Sequence, residues 1–131
     1  MRLLIANANW AHVLDSAVMC HFLPYTPQQL SDALNAAMGW EMTPREYHQI
    51  GARAATLARV LNLREGWSTA EDTLPKRFFK AFESGPLAGQ EYSREKFKTA
   101  TQEYYRQMGW NESGVPTRKL LRELGVEWAA G

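Results

Sequence analysis

Residues 43–61 read Thr43-Pro44-Arg45-Glu46-Tyr47-His48-Gln49-Ile50-Gly51-Ala52-Arg53-Ala54-Ala55-Thr56-Leu57-Ala58-Arg59-Val60-Leu61. The first four residues form a capping box. A threonine hydroxyl accepts a free backbone N–H, proline fits the first helical position, and glutamate at the third reaches back to the cap. Tyr47, Ile50, Ala54, Leu57 and Leu61 then recur at spacings of three and four, so they lie along one stripe. The stretch predicts an amphipathic helix of about five turns that ends between Asn62 and Gly66. His48 falls beside Tyr47 and faces water on this reading. Arg64 and Glu65 are expected to fix the helix exit through ion pairs.

The segments on either side follow the same helical logic. A first helix is predicted from residue 3 to about 22, with Leu4, Ala8, Ala11, Leu14, Val18 and Phe22 on one stripe and Pro24 stopping it. Thr26 and Pro27 open a second helix through Leu30, Leu34, Ala37 and Met38, closed by Gly39. Pro75 opens a short helix through Phe82, broken at Gly85-Pro86. Ser93 caps a helix to Met108 with Phe97, Ala100, Tyr104 and Met108 inward, and Gly109 ends it. Thr117 caps a last short helix carrying Leu120, Leu121 and Leu124, ended by Gly125. The tract 83–92 is expected to be a mobile connection. Trp40 and Trp110 each follow a glycine and are read as plugs over a helix end, and Asp72 as a cap or a partner of Arg77. No run alternates with period two in β-branched residues, so no strand is predicted. The fold class is all-α, an irregular bundle of about five to six helices forming a single domain over residues 1–131.

Composition narrows the function classes. The chain has 131 residues, of which 45% are hydrophobic and 22% charged, the balance of a globular domain with a modest core. Its net charge of +1, from 15 basic and 14 acidic residues, gives no overall footprint for nucleic acid or anionic lipid. The basic run Arg118-Lys119-Leu120-Leu121-Arg122 offers a nucleic-acid binder as a third reading, against which the near-zero net charge counts. No stretch approaches the ~20 apolar residues of a membrane span, and Asn7 and Asn9 interrupt the apolar start as a signal segment. A single cysteine excludes an intrachain disulfide. A cytoplasmic protein without membrane or nucleic-acid partners is expected.

That cysteine closes the run Asp15-Ser16-Ala17-Val18-Met19-Cys20. One thiolate can help hold a metal cluster but cannot build one, because such sites need about four ligands. Cys20 is therefore either a buried small hydrophobe or one corner of a shared site. Five residues along a straight helix rotate by about 500°, so Asp15 and Cys20 cannot serve one site unless the helix is interrupted between them. His12 and His21 flank the run, but a spacing of nine does not bring them together on a helix face.

Beyond this run, the ordered segments are Leu34-Asn35-Ala36-Ala37-Met38-Gly39-Trp40, Asn62-Leu63-Arg64-Glu65-Gly66 and Asp72-Thr73-Leu74-Pro75-Lys76-Arg77. Tyr104-Tyr105-Arg106-Gln107-Met108-Gly109-Trp110 and Gly114-Val115-Pro116-Thr117 complete the set. Together with Asp15–Cys20, it resembles the C-terminal part, domains 2 and 3, of the tungsten-containing aldehyde ferredoxin oxidoreductase family, over about residues 12–125. The resemblance implies an enzyme that oxidises aldehydes to carboxylic acids and passes electrons through a [4Fe–4S] cluster to ferredoxin. It also implies tungsten, or molybdenum, held by two pterins. In the family a motif Asp-x-x-Gly-Leu-Cys supplies the last cluster thiolate and a pterin contact, which implies Cys20 as the [4Fe–4S] ligand and Asp15 as the pterin contact. Here Val18 stands at the glycine position and Met19 at the leucine. A β-branched residue resists the positive φ that glycine permits.

The family's other three cluster cysteines lie upstream of this segment, as do its pterin-binding domain and the residues at tungsten. No catalytic residue is therefore expected in this chain. Its expected partners are upstream domains or a subunit of the same enzyme, with ferredoxin served indirectly, and the expected docking faces are exposed apolar surface. The alternative is a non-catalytic helical interaction module derived from the family.

Overall fold

In the computed structural model, residues 1–130 are described, and they form α1 (Arg2–Ser16), α2 (Pro27–Met38), α3 (Pro44–Arg64), α4 (Arg94–Met108) and α5 (Arg118–Glu123). Short 3₁₀ turns lie at Lys76–Phe79 and Glu127–Ala130. The described residues contain no strand, only isolated backbone bridges between Phe82 and Ala88 and between Trp110 and Pro116. The all-α expectation holds.

Local capping chemistry fixes most helix starts. The Thr26 and Thr43 hydroxyls each accept the backbone N–H three residues on, and Gln29 and Glu46 complete both capping boxes. Ser93 and Thr117 cap α4 and α5 through one such bond each. Replacing such a cap by alanine typically costs about 1 kcal/mol.

Helix α3 is the spine. At its start Tyr47 packs with Val13 of α1 and Leu30 of α2, joined by Trp10, Leu14, Met19, Leu34 and Ile50. At its far end Val60 packs with Leu121, Val126 and Ala129. Between these clusters α1 and α3 meet backbone to backbone. A Cβ on Gly51 would lie 2.0 Å from the Asn9 carbonyl oxygen, so only glycine permits the crossing.

The structure departs from the sequence reading in several places. Helix α1 stops at Ser16 rather than near residue 22, and Val18 and Phe22 are 92% and 96% exposed instead of lining a stripe. The helix from Pro75 is only the 3₁₀ turn Lys76–Phe79. The tract 83–92 folds back on Phe82, whose N–H donates to Gln90 O (2.9 Å) and whose carbonyl accepts from Gly89 N (2.8 Å). Leu61 is exposed, and its neighbour Val60 takes the inward position against Leu121, Val126 and Ala129. His48 does not simply face water: it packs edge-on against Trp10 (6.2 Å) and lies 3.4 Å from the amide nitrogen of buried Asn9.

Candidate functional site

The end of α1 carries the cysteine run. Val18 N–H donates to Asp15 O (3.1 Å) and Met19 N–H donates to Leu14 O (2.9 Å), the paired bonds of a Schellman closure. That closure needs a left-handed residue at its centre, and Val18 takes it at φ 55°, alone among non-glycine residues with positive φ. Met19 turns inward against the Val13–Leu30–Tyr47 cluster, which repays the turn with apolar burial. The chain then leaves the helix with Cys20 exposed and its thiol free. The helix is thus interrupted between Asp15 and Cys20, as a shared role for the two requires.

Asp15 is also exposed, and its Oδ1 lies 2.6 Å from His21 Nε2. The two ends of the loop are therefore joined across Cys20. His12 stays on α1 and does not meet His21 in any group that could hold a metal. Among the described residues no three His, Cys, Asp or Glu side chains converge in that way. A donor set of one surface thiolate and one carboxylate fits a single corner of a shared cluster site and nothing larger.

Beside the loop lies an apolar hollow of about 600 Å³, lined by Val13, Met19, Leu34, Met38, Trp40 and Ile50. Trp40 leans on Tyr47 (6.5 Å) over the end of α2, as the sequence reading had it. Exposed Val18, Phe22, Leu23, Met38 and Trp40 give this side of the molecule apolar surface with no cover in the chain itself.

A second site lies about three turns further along α3. Arg59 is 6% exposed and carries three bonds: Nη1 and Nη2 to the two oxygens of Asp72 (3.0 and 2.7 Å), and Nε to Gly114 O (2.8 Å). Its guanidinium lies 5.1 Å from the Trp110 ring and 5.6 Å from the Tyr105 ring. Trp67 Nε1 donates to Asp72 (2.9 Å), and the Tyr105 hydroxyl donates to the other carboxylate oxygen. Burial works to raise the Asp72 pKa, but the bonds from Arg59, Tyr105 and Trp67 outweigh it and hold the carboxyl below its ordinary 3.8. Burial, then the bond to Asp72, pushes Tyr105 up to about 12. The group stays neutral and donating at ordinary pH.

This cluster anchors the irregular segments around residues 67–73 and 111–114 onto α3 and α4. It also lines a groove of about 650 Å³ with Tyr104 and Phe97. Asp72 pairs with Arg59 rather than with Arg77, whose guanidinium lies over Phe78 (5.4 Å). Among the described residues neither Arg64 nor Glu65 forms an ion pair. Arg59 was missed in the sequence, and Tyr105 and Gly114, though inside segments quoted for the resemblance, were given no link to it or to Asp72.

The profile of aldehyde ferredoxin oxidoreductase domains 2 and 3 matches residues 1–126. The chain is 35% identical to a tungsten-containing aldehyde ferredoxin oxidoreductase of Pyrococcus furiosus over 130 residues, 96% of this chain and 21% of that protein. It is 34% identical to the WOR-like subunit of an aliphatic sulfonate oxidoreductase of the same organism, over 86% of this chain and 19% of that one. It spans about a fifth of the length of these relatives. Among solved structures, the active site complex BamBC of benzoyl coenzyme A reductase superposes with a TM-score of 0.75 at 23% identity. That match covers 91% of this chain and 18% of that one, and shows a shared fold. No helix among the described residues is long and apolar enough to cross a membrane.

Proposed function

Because this chain belongs to the aldehyde ferredoxin oxidoreductase family, within whose domains 2 and 3 it falls, we propose that it supplies Cys20 as one thiolate of a shared [4Fe–4S] cluster and Asp15 as a pterin contact. The observation that carries this reading is the end of α1. Val18 adopts φ 55° at the place where the family motif has glycine, and Cys20 emerges on the surface. The substitution changes the side chain and keeps the turn. An exposed thiol beside uncovered apolar surface is what a shared site requires on this side of the contact.

The roles of the chain's own groups follow. Cys20, deprotonated, donates sulfur to iron held by cysteines of an upstream part of the enzyme. Asp15 can accept two N–H bonds from the guanidine-like edge of a pterin, a charge-assisted bidentate geometry. To do so it exchanges one oxygen from His21. The apolar hollow and the surrounding exposed side chains exclude water from the join. The bound tungsten and cluster would supply oxidation of an aldehyde to its carboxylic acid and the path of the electrons towards ferredoxin. We place the whole assembly in the cytoplasm, in keeping with a lone reduced cysteine.

Val18 at the motif's glycine position is one ground for the alternative, a non-catalytic module. A valine that holds the left-handed turn removes much of that ground.

Co-expression with the rest of a relative, lacking only the segment that this chain matches, tests the proposal. The assembly is expected to copurify with iron and tungsten and with cluster absorbance that drops in Cys20→Ser. Failure to associate, or full cluster absorbance in the variant, would contradict it.

A further inference from the structure

The groove of about 650 Å³ beside the Arg59–Asp72 cluster lies between three helices. Leu4 of α1 stands at one rim. Ala55, Ala58 and Asn62 of α3 form one wall, and Phe97, Ala100 and Tyr104 of α4 form the other. Within each wall the residues recur at spacings of three and four, so each set shares one face of its helix. The α4 set is the apolar stripe that the sequence reading points inward. In the structure it is only half-buried, because α3 packs closely on α1 but not on α4. Across the groove Ala58 and Asn62 are exposed, and Leu4 is 60% exposed. From behind, Phe79 and Tyr92 brace Phe97 edge-on at 5.9 and 6.4 Å, so the α4 wall is already formed. The apolar face of an amphipathic helix, left on an open groove, lacks a packing partner.

We propose that this groove receives an amphipathic helix from the rest of the same enzyme, as a second docking face at the other end of α1 from Cys20. The proposal rests on the reading that the chain works inside a larger enzyme, but not on the role of Cys20. The extent of the relatives selects the occupant. The chain matches 21% of the aldehyde ferredoxin oxidoreductase of Pyrococcus furiosus, and its fold superposes on 18% of the BamBC chain. In both, this helical unit is a small part of a far longer chain that can cover its open faces. Walls made of two helices with stripes at this spacing suit a third helix, whose side chains enter between their ridges. A small ligand is served less well. Ligand sites hold charged or polar groups ready to orient what they bind, whereas Arg59 and Asp72 at the back of this groove spend their bonds on each other and on Gly114, Trp67 and Tyr105.

The test co-expresses the whole chain with the rest of the Pyrococcus furiosus relative and measures their association. Ala58→Trp fills the groove from an exposed position and is expected to weaken association by about tenfold or more. Leu4→Glu acts at the rim, in a first helical turn where glutamate is favoured, and is expected to do the same. Unchanged helical circular dichroism checks both folds. Cys20→Ser is expected to associate as the unaltered chain does while cluster absorbance drops, so the two readings fail separately. A benzophenone attached through Ala58→Cys in the Cys20→Ser chain is expected to crosslink to a stretch of the relative whose apolar residues recur at helical spacing. A crosslink to any other stretch or to a second copy of this chain, or no crosslink at all, would overturn the proposal. So would unweakened association of Ala58→Trp and Leu4→Glu, or no association of the unaltered chain.

Discussion

At the end of α4, Gly109 N–H donates to Arg106 O and Trp110 N–H donates to Tyr105 O; at the end of α1, Val18 and Met19 make the same two bonds to Asp15 and Leu14. The pattern recurs after α3 with Gly66 and after α5 with Gly125. The left-handed residue is glycine at φ 74° after α4 and valine at φ 55° after α1. The surroundings differ as well. Trp110 lies on Arg59 inside the bonded cluster with Asp72 and Tyr105, so the α4 closure is tied down from several sides. The α1 closure leans on Met19 and the exposed Asp15–His21 contact, and opens to solvent at Val18. A non-glycine residue in this region costs about 1–2 kcal/mol, and such strain persists where function needs the shape. The costlier version of the turn is the one that presents Cys20.

The contrast can be attacked from the strongest point downward. Arg59→Ala should remove the anchor of the α4 end and leave Asp72 partly buried without its cation, at about 3 kcal/mol in urea unfolding. The α1 end should be untouched, with Cys20 alkylated at the same rate. Gly109→Val should cost about 2 kcal/mol, because it imposes at α4 the strain that α1 already carries. An unfolding midpoint unchanged by Gly109→Val would mean the left-handed turn is not costly here.

Acid should act on the α4 side next. The folded Asp72 pKa is depressed, so its contribution is present above the ordinary value of 3.8 and is lost as pH falls through the lower folded value. The urea midpoint should therefore fall below about pH 4, and Asp72→Asn should flatten that part of the curve. The smallest effect belongs to Val18→Gly, which relieves the turn but loosens the unfolded chain. A net gain of about 0.5–1 kcal/mol is expected, read as a higher melting temperature.

The legible parts of the fold were those set by neighbours in sequence. Thr26, Thr43, Ser93 and Thr117 announce their helices because cap bonds span three residues, and Gly39, Gly109 and Gly125 announce their ends because glycine is cheap in the left-handed region. The end of α1 was illegible for the same reason: valine gives no stop signal, and the helical stripe runs on through Val18 and Phe22. What stops the helix is Met19 finding a core made by α2 and α3, a tertiary effect. The Arg59–Asp72 pair spans 13 residues and the Arg59–Gly114 bond 55, so no local pattern could reveal them. The crossing at Gly51 was hidden likewise, since a mid-helix glycine shows its purpose only when α1 arrives. In the candidate site, Asp15 and Cys20 were named from family resemblance, and only the structure shows the interruption between them.

Alkylation of Cys20 gives the most direct measurement. In the chain alone the thiol should react readily with iodoacetamide. In the assembled, iron-loaded enzyme it should be protected, and chelation of the iron should restore its reactivity. Equal reactivity of Cys20 in the free chain and in the iron-loaded assembly would contradict the account.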